Sequence, residues 1–259
     1  MNFFKKDFTI IEYRKLLQTI INSHYNNRLL NEHIIKPKKS NSIIIRHDVD
    51  RKPHNSLNMS YIEMEMGIVS TYYFRTTSTT FKPKIISEIV NNGHEIGYHY
   101  EDLSYCNGNF KRAIESFQIN IEKLRHYYPV KSIAMHGSPL SRWDNRLLWD
   151  KYDYKDYGVV SEPYFDVDYN KTYYITDAGR TWENSKANFR DRVNSDLFLN
   201  ICSTKDIRSF LTATELSPSI FLNVHPEHWT DNHLEWLTIK IRRKISNFIK
   251  GLLHKVKYS

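Results

Sequence analysis

Short apolar segments and helical patterns alternate along this chain, and that alternation restricts its fold more than any other feature. The segments are 42–49 (SIIIRHDV), 69–76 (VSTYYFRT), 93–100 (GHEIGYHY), 131–137 (KSIAMHG), 158–165 (GVVSEPYF), 172–177 (TYYITD) and 219–225 (SIFLNVH). Each is rich in Ile, Val, Tyr or Phe and bounded by turn residues, which reads as a strand. Between them, residues 54–66 place Leu57, Tyr61 and Met64, with Ile68 beyond, at helical spacing. Residues 83–92 follow Pro83, a good first-turn residue. Residues 109–127 carry Phe110, Ile114, Phe117, Ile121 and Leu124 at the same period. Further helices are expected over 8–22, 203–213 and 231–256. Strand–helix alternation implies a parallel sheet, and about seven such units favour an α/β fold of the distorted (β/α) barrel type. A length of 259 residues suits one such domain. The expected division is a helical extension (1–41) packed on the barrel, the barrel itself (42–236) and a basic amphipathic helix (237–259).

Active sites of such barrels lie at the C-terminal ends of the strands. Here HDVD, HYED, MHGS, TDAGR and VHPEH all end predicted strands, which suggests a shared pocket. Alternate residues of a strand share a face. Asp48 and Asp50 therefore point one way and His47 the other. Two neighbouring carboxylates repel unless a cation or proton separates them, so one of the pair is a candidate metal ligand and the other a candidate base. In GHEIGYHYEDL (93–103), Glu95, Gly97 and His99 share a face, and His99 at the strand end suits neutral imidazole ligation. In FLNVHPEHW (221–229), Asn223 and His225 share a face. His225 is placed as a general acid or base, Trp229 as an apolar platform, and His228 as a surface residue. YYITDAGRTW (173–182) adds Asp177, Arg180 and Trp182. A carboxylate commonly orients a catalytic imidazole, which makes Asp177 the candidate partner of His225. An arginine can hold a carboxylate ionised, which makes Arg180, with Arg46 as alternate, the candidate partner of Asp48. Trp182 and Trp229 are the candidate substrate-binding rings.

The net charge of +8 is concentrated at one end. Residues 240–259 hold Lys240, Arg242, Arg243, Lys244, Lys250, Lys255 and Lys257 and no acid, which leaves the rest close to neutral. A nucleic-acid enzyme more often spreads its basic stripe across the body of the fold, so no nucleic-acid partner is expected. Leu237, Ile241, Ile245, Phe248, Ile249, Leu252, Leu253 and Val256 fall on one side of this basic helix. Two expectations follow from that pattern: an interfacial helix on an anionic cytoplasmic leaflet, or a closing helix packed on the barrel. No apolar run spans a bilayer, and the N-terminus lacks signal-peptide features. A cytoplasmic location, peripheral on the inner leaflet through 237–259, is the expectation. Cys106 and Cys202 are the only cysteines and form no CxxC pair, so core thiols are the simplest reading.

Together these motifs resemble the polysaccharide deacetylase superfamily, the NodB-homology domain of the family-four carbohydrate esterases, in its divergent surface-polysaccharide biosynthesis branch. The likeness runs from about residue 42 to about residue 230. It rests on Asp48-x-Asp50, on GHEIGYH, which matches the family's Gly-His-Glu-[Ile/Val]-Gly-x-His motif in full, and on the late hydrophobic-His segment. The resemblance implies a barrel of NodB-homology type and a metal-dependent hydrolase that removes an acetyl group from an N-acetylated sugar. It implies Asp48 as base, Asp50 and His99 as ligands of one divalent metal, expected to be Zn²⁺, and His225 as acid. The family pattern continues to a second metal-binding His four residues after His99, where this chain has Leu103. The third ligand must then come from elsewhere, with His136, Asp102 and Glu101 as candidates and His136 preferred. His136 also stands where the family's Arg-x-Pro motif would place an arginine. The alternative that follows from Leu103 is a catalytically degenerate domain that binds a glycan or a partner enzyme.

Overall fold

The computed structural model describes residues 6–36, 41–139, 141–182, 190–213 and 218–258, with side chains described to residue 249 in the last helix. The order is α1 (Ile10–Ile21), β1 (Asn26–Arg28), α2 (Leu30–Ile35), β2 (Ser42–Val49), α3 (Pro53–Glu65), β3 (Thr71–Phe74), α4 (Pro83–Asn91), β4 (Glu95–Tyr100), α5 (Asp102–Tyr105), α6 (Phe110–Arg125), β5 (Ile133–Met135), α7 (Pro163–Asp166), β6 (Thr172–Thr176), α8 (Thr204–Ala213), β7 (Ser219–Val224) and α9 (His233–Tyr258). The strands form one parallel sheet in the order β5-β4-β3-β2-β7-β6. The sheet curls into a distorted barrel with helices around it. β1 pairs with Ser42–Ile44 of β2, while β3 pairs with Arg46–Val49 of the same strand. β2 thus has β7 on one edge and two short strands in succession on the other.

The predicted and observed strands agree in all but two places. Residues 158–165 make only an isolated bridge, Ser132 to Ser161, before turning into α7. Pro163 lacks a backbone donor for a ladder and sits at the start of that helix, and the Glu162 side chain accepts from the Tyr164 amide at 2.6 Å to cap it. Conversely, β1 is missed because Asn-Asn-Arg carries no apolar alternation. The segment before residue 42 is therefore not purely helical.

Side-chain alternation sorts chemistry onto two faces of the sheet. Ile44, Tyr73, Ala134 and Phe221 meet inside the barrel with Val167, Tyr169 and Leu30. The polar inward residues of the same strands rise above them toward the C-terminal rim. At the opposite end, Glu95 accepts from Thr71 Oγ1 at 2.7 Å and from Asn31 of α2, closing the bottom of the barrel. The outward face packs against α1, α3 and α8 on one side and against α4 and α6 on the other.

A polar cluster lies behind β2, where the sequence pattern alone points to apolar packing. Glu63 of α3 is fully buried. It accepts from His47 Nε2 at 2.7 Å, Tyr72 Oη at 2.7 Å, Ser70 Oγ at 2.6 Å and the hydroxyl of Tyr13. His94 lies beside it, donating through Nε2 to the Ser60 carbonyl at 2.9 Å. This cluster explains why the buried face of α3 is Ser56, Met59, Ser60, Ile62 and Glu63, while Tyr61 and Met64 are exposed. It also accounts for His47 and His94 as structural residues that pin α1 and α3 to the sheet. Burial pushes the Glu63 carboxyl up, but His47, His94 and the Ser70 hydroxyl outweigh it and bring its pKa from 4.5 to about 2. A depressed carboxyl contributes stability in full above its unfolded pKa and loses it as pH falls through the folded value. Glu63→Gln should therefore lower stability at pH 6 by about 3 kcal/mol, the scale of disrupting a buried carboxylate and its hydrogen bonds. The gap from the wild type should narrow as pH falls from 4.5 toward 2. Thermal melts of both proteins across that range test this.

Candidate functional site

The rim of the barrel carries a cleft of about 720 Å³ whose walls include Asp48, Asp50, His99, His136 and His225. β2 delivers Arg46 and Asp48 to its inner face, and Asp50 follows at the strand end. β4 delivers His99, β5 ends just before His136, and β7 ends just before His225. The parallel arrangement brings all of these ends to one side.

Asp48 is fixed by its own strand. Arg46 Nε donates to its Oδ1 at 2.6 Å, and Arg46 Nη2 donates to Oδ2 at 2.8 Å. Asn223 of β7 adds a third bond to Oδ2 at 3.1 Å. The guanidinium lies over the rings of Tyr73 and Tyr164, at 5.1 and 5.5 Å from their centroids. Burial pushes the Asp48 carboxyl up, yet Arg46, with His99 and His225, holds it below the usual carboxylate range. Arg46, the alternate, is thus the partner of Asp48, and Arg180 is not. Arg180 follows Asp177 in a turn, its amide donating to the Asp177 carbonyl at 2.8 Å. It is in a left-handed conformation (φ 60°), packs over Trp236 and Phe8, and donates to the Trp236 carbonyl at 3.1 Å. Gly97 has a distinct reason to be glycine. The Tyr73 ring crosses its backbone so closely that a Cβ there would overlap Cε1 and Cδ1.

Asp50 is the center of a second group. His99 Nε2 lies 3.3 Å and His136 Nε2 3.5 Å from its Oδ1. His99 Nδ1 is 2.9 Å from the Ala134 carbonyl, and His136 Nδ1 is 2.8 Å from Glu101 Oε2. A carbonyl or carboxylate oxygen only accepts, so each Nδ1 carries the proton. In the neutral rings, each Nε2 then presents a lone pair toward Asp50. Asp50 Oδ1 is enclosed and accepts no hydrogen bond. Burial pushes this carboxyl up, but the two imidazoles in their protonated forms, His136 foremost, hold it well below its ordinary value. Glu101 is itself held by Arg75 at 2.8 Å, and its pKa falls to about 2 because His136 and Arg75 outweigh its burial. A metal-binding histidine usually donates its other nitrogen in this way.

Asp177 organises the third group. Its Oδ1 accepts from the His225 amide at 2.9 Å and from His225 Nδ1 at 2.7 Å; its Oδ2 accepts from the Trp229 indole at 2.8 Å. His225 Nε2 thereby points back to Asp48 Oδ2, 3.9 Å away. Burial disfavours a charged imidazole, but Asp177, Asp48 and Asp50 dominate and raise the His225 pKa to about 10. His228, expected at the surface, is fully buried and stacks on His225 at 5.3 Å between centroids. Burial lowers its pKa to about 3, so it is neutral. Among the described residues, Asp177, His225 and His228 have donor atoms all within 4.8 Å of one another, and such a buried Asp-His-His set can hold a metal ion.

Three further expectations are corrected. Asp102 is buried behind β4, where Tyr98, Ser116 and Asn120 saturate its carboxylate at 2.6 to 2.9 Å, so it faces no site. Trp182 and Trp229 are buried and offer no ring to a substrate. Trp182 stacks on Phe8 and donates to Thr204 Oγ1 at 3.0 Å, while Trp229 orients Asp177. Sequence reasoning missed Glu227, which lines the cleft with one oxygen on Arg243 and the other unpartnered. It also missed the contribution of α9 to the cleft wall.

No family model matches the chain, and no curated protein matches it. Solved structures similar to it include a family-four carbohydrate esterase from Streptococcus mutans (14% identity, 85% of each chain covered, TM-score 0.45). Another is a pseudoenzyme of that family from Bacillus anthracis (12% identity, 80% of this chain and 61% of that one, TM-score 0.44). A third is a family-four carbohydrate esterase from Streptomyces lividans in complex with acetate (14% identity, 81% and 88% covered, TM-score 0.41). The chain thus spans less than two thirds of the pseudoenzyme's length.

The Asp177–His225 pair has a direct spectroscopic consequence. A group whose pKa is raised on folding contributes stability below its unfolded pKa and loses it as pH rises through the folded value. In metal-free protein, His225 should stay protonated through pH 8 and titrate near 10. Asp177→Asn should lower that pKa, because its largest raising cause is removed. Imidazole NMR titrations of the two proteins check this.

Proposed function

We propose that this chain is a metal-dependent deacetylase that hydrolyses the N-acetyl group of a sugar. The observation that carries the reading is the buried, unpartnered Oδ1 of Asp50, faced by two imidazole nitrogens whose opposite nitrogens are already committed as donors. With both imidazoles neutral, three sets of lone pairs converge on one point, an arrangement that a cation relieves. Asp50, His99 and His136 would hold it, and their oxygen and nitrogen donors suit Zn²⁺ or a similar divalent ion. His136 then supplies from β5 the ligand that Leu103 cannot. Leu103 packs in the core, so its position in the fold faces away from the cleft. The competing Asp177–His225–His228 set has both carboxylate oxygens engaged by hydrogen bonds, and in this proposal it supports the acid.

A bound metal would supply polarisation of the acyl carbonyl and acidification of water. Asp48 is ionised by its pairing with Arg46, and it receives a water proton at Oδ2 as the water oxygen adds to the acyl carbon. His225, charged through Asp177, donates its Nε2 proton to the sugar nitrogen as the C–N bond breaks. The products are acetate and a free amine. The open cleft, with Asp48, Asp50, His99, His136 and His225 in its walls, and the GHEIGYH and Asp-x-Asp motifs support a sugar substrate.

Purified protein loaded with Zn²⁺ should retain about one metal per chain after desalting. Asp50→Ala, His99→Ala and His136→Ala should each lose it, while Asp48→Asn should keep it and lose at least about a hundredfold in turnover of an N-acetylated sugar. Metal retained in the Asp50→Ala and His136→Ala variants would refute the ligand assignment. Retention with no hydrolysis by the wild type would favour the glycan-binding alternative.

A further inference from the structure

The last helix does two things at once. Trp236 and Ile239 are buried on the barrel. Arg243 donates to Glu227 at 2.8 Å, Asn247 donates to the Gly179 carbonyl at 3.0 Å, and the Trp236 indole donates to the Asp7 carbonyl at 2.6 Å. These contacts lay α9 along the rim, where Arg242, Arg243, Ile245, Ser246 and Ile249 form part of the cleft wall. The body of the protein therefore packs against the face that carries Trp236, Ile239, Arg243 and Asn247, and the exposed apolar stripe meets it only at the cleft edge, through Ile245 and Ile249.

The apolar face points outward. Leu234, Leu237, Ile241, Ile245, Phe248 and Ile249 are all exposed, Phe248 by 69%. At 3.6 residues per turn they fall within about a third of the helix circumference, whereas Trp236, Ile239, Arg243 and Asn247 fall opposite. Lys240 and Lys244 flank the stripe on one side and Arg242 on the other. From Trp236 to Ser259 the chain has no Asp or Glu. Arg51, on the loop after Asp50, also lines the cleft and is exposed, and neither it nor Arg242 makes an ion pair among the described residues. Leu252, Leu253 and Val256 lie beyond the described side chains. An exposed apolar stripe flanked on both sides by bases, and free of acids, matches the chemistry of an anionic lipid surface.

We infer that α9 seats the rim of the cleft on an anionic bilayer, so that the substrate is an acylated sugar carried on a lipid. Ile245 and Ile249 belong both to the stripe and to the cleft wall, so the cleft opens where the helix meets the membrane. The substrate class rests on the deacetylase reading; the membrane contact does not. No helix among the described residues is long and apolar enough to cross the membrane, so the contact is with the surface.

The test is flotation of the full chain with phosphatidylcholine vesicles, with and without about one third phosphatidylglycerol. The wild type should float with the anionic vesicles and not with the neutral ones. The triple variant Leu237→Ser, Ile241→Ser and Phe248→Ser keeps every charge and removes only exposed side chains. It should bind at least about tenfold more weakly, with an unchanged melting temperature and unchanged turnover of a water-soluble N-acetylated sugar. Wild-type protein that stays unbound would overturn the inference. So would equal binding by the triple variant, which would mean adhesion by charge alone. Wild-type self-association that is lost in the triple variant, without vesicle binding, would assign the stripe to a second copy instead. Vesicle binding by a chain that hydrolyses no acylated sugar would leave the membrane contact standing and remove the deacetylase reading.

Discussion

Every residue of β2 is buried, yet the strand carries Arg46, His47 and Asp48 in succession. A buried charge is tolerated only when it is paired and hydrogen-bonded, and most of the local architecture can be understood as meeting that requirement twice. On the inner face Arg46 grips Asp48 in a bidentate pair, cushioned by Tyr73 and Tyr164. On the outer face His47 meets Glu63, which gathers Tyr13, Ser70 and Tyr72 around it. The first arrangement makes a carboxylate that stays ionised at the cleft floor. The second fastens α1 and α3 to the strand. Each constrains the other, because alternation along one strand sets which residue faces which way.

The same logic extends across the sheet. Gly97 is bare so that the Tyr73 ring can lie under Arg46, which links the glycine of the β4 motif to the ionisation of an acid two strands away. Asn223 of β7 bonds the same carboxylate, and the next inward residue of that segment is His225. The base and the acid of the proposed reaction are therefore positioned by adjacent strands and share one oxygen, Asp48 Oδ2, as their nearest point of approach. Behind them, Asp177 is held by a tryptophan indole and a backbone amide, so the imidazole it orients cannot turn.

Much of this was legible in the sequence, and the reasons are specific. β2, β4, β6 and β7 announced themselves through apolar runs that end in polar clusters. The pairing of Asp177 with His225 followed from the need of a catalytic imidazole for an orienting carboxylate, and the candidacy of His136 from its place at a strand end that reaches the mouth. What stayed hidden depended on tertiary context. Trp182 and Trp229 read as platforms because a sequence cannot say which side of a rim a ring occupies. Asp102 sits just past the GHEIGYH segment but points into a pocket of three donors behind the strand. The partner of Asp48 was nearer than expected, two residues back on the same face. The α3 face was misread because its buried side is polar, serving Glu63. The apolar stripe of α9 was visible from spacing alone, but only its exposure separates a surface-binding helix from a closing one.

The proposed chemistry depends on where a metal binds. Two sets of ligand-type side chains stand a short distance apart, Asp50 with His99 and His136, and Asp177 with His225 and His228. Anomalous diffraction at the zinc edge, from crystals grown with Zn²⁺, would tell them apart. The geometry predicts one peak against Asp50 Oδ1 and the Nε2 atoms of His99 and His136. A peak among Asp177, His225 and His228, or none at either set, would contradict the assignment of base, ligands and acid made here.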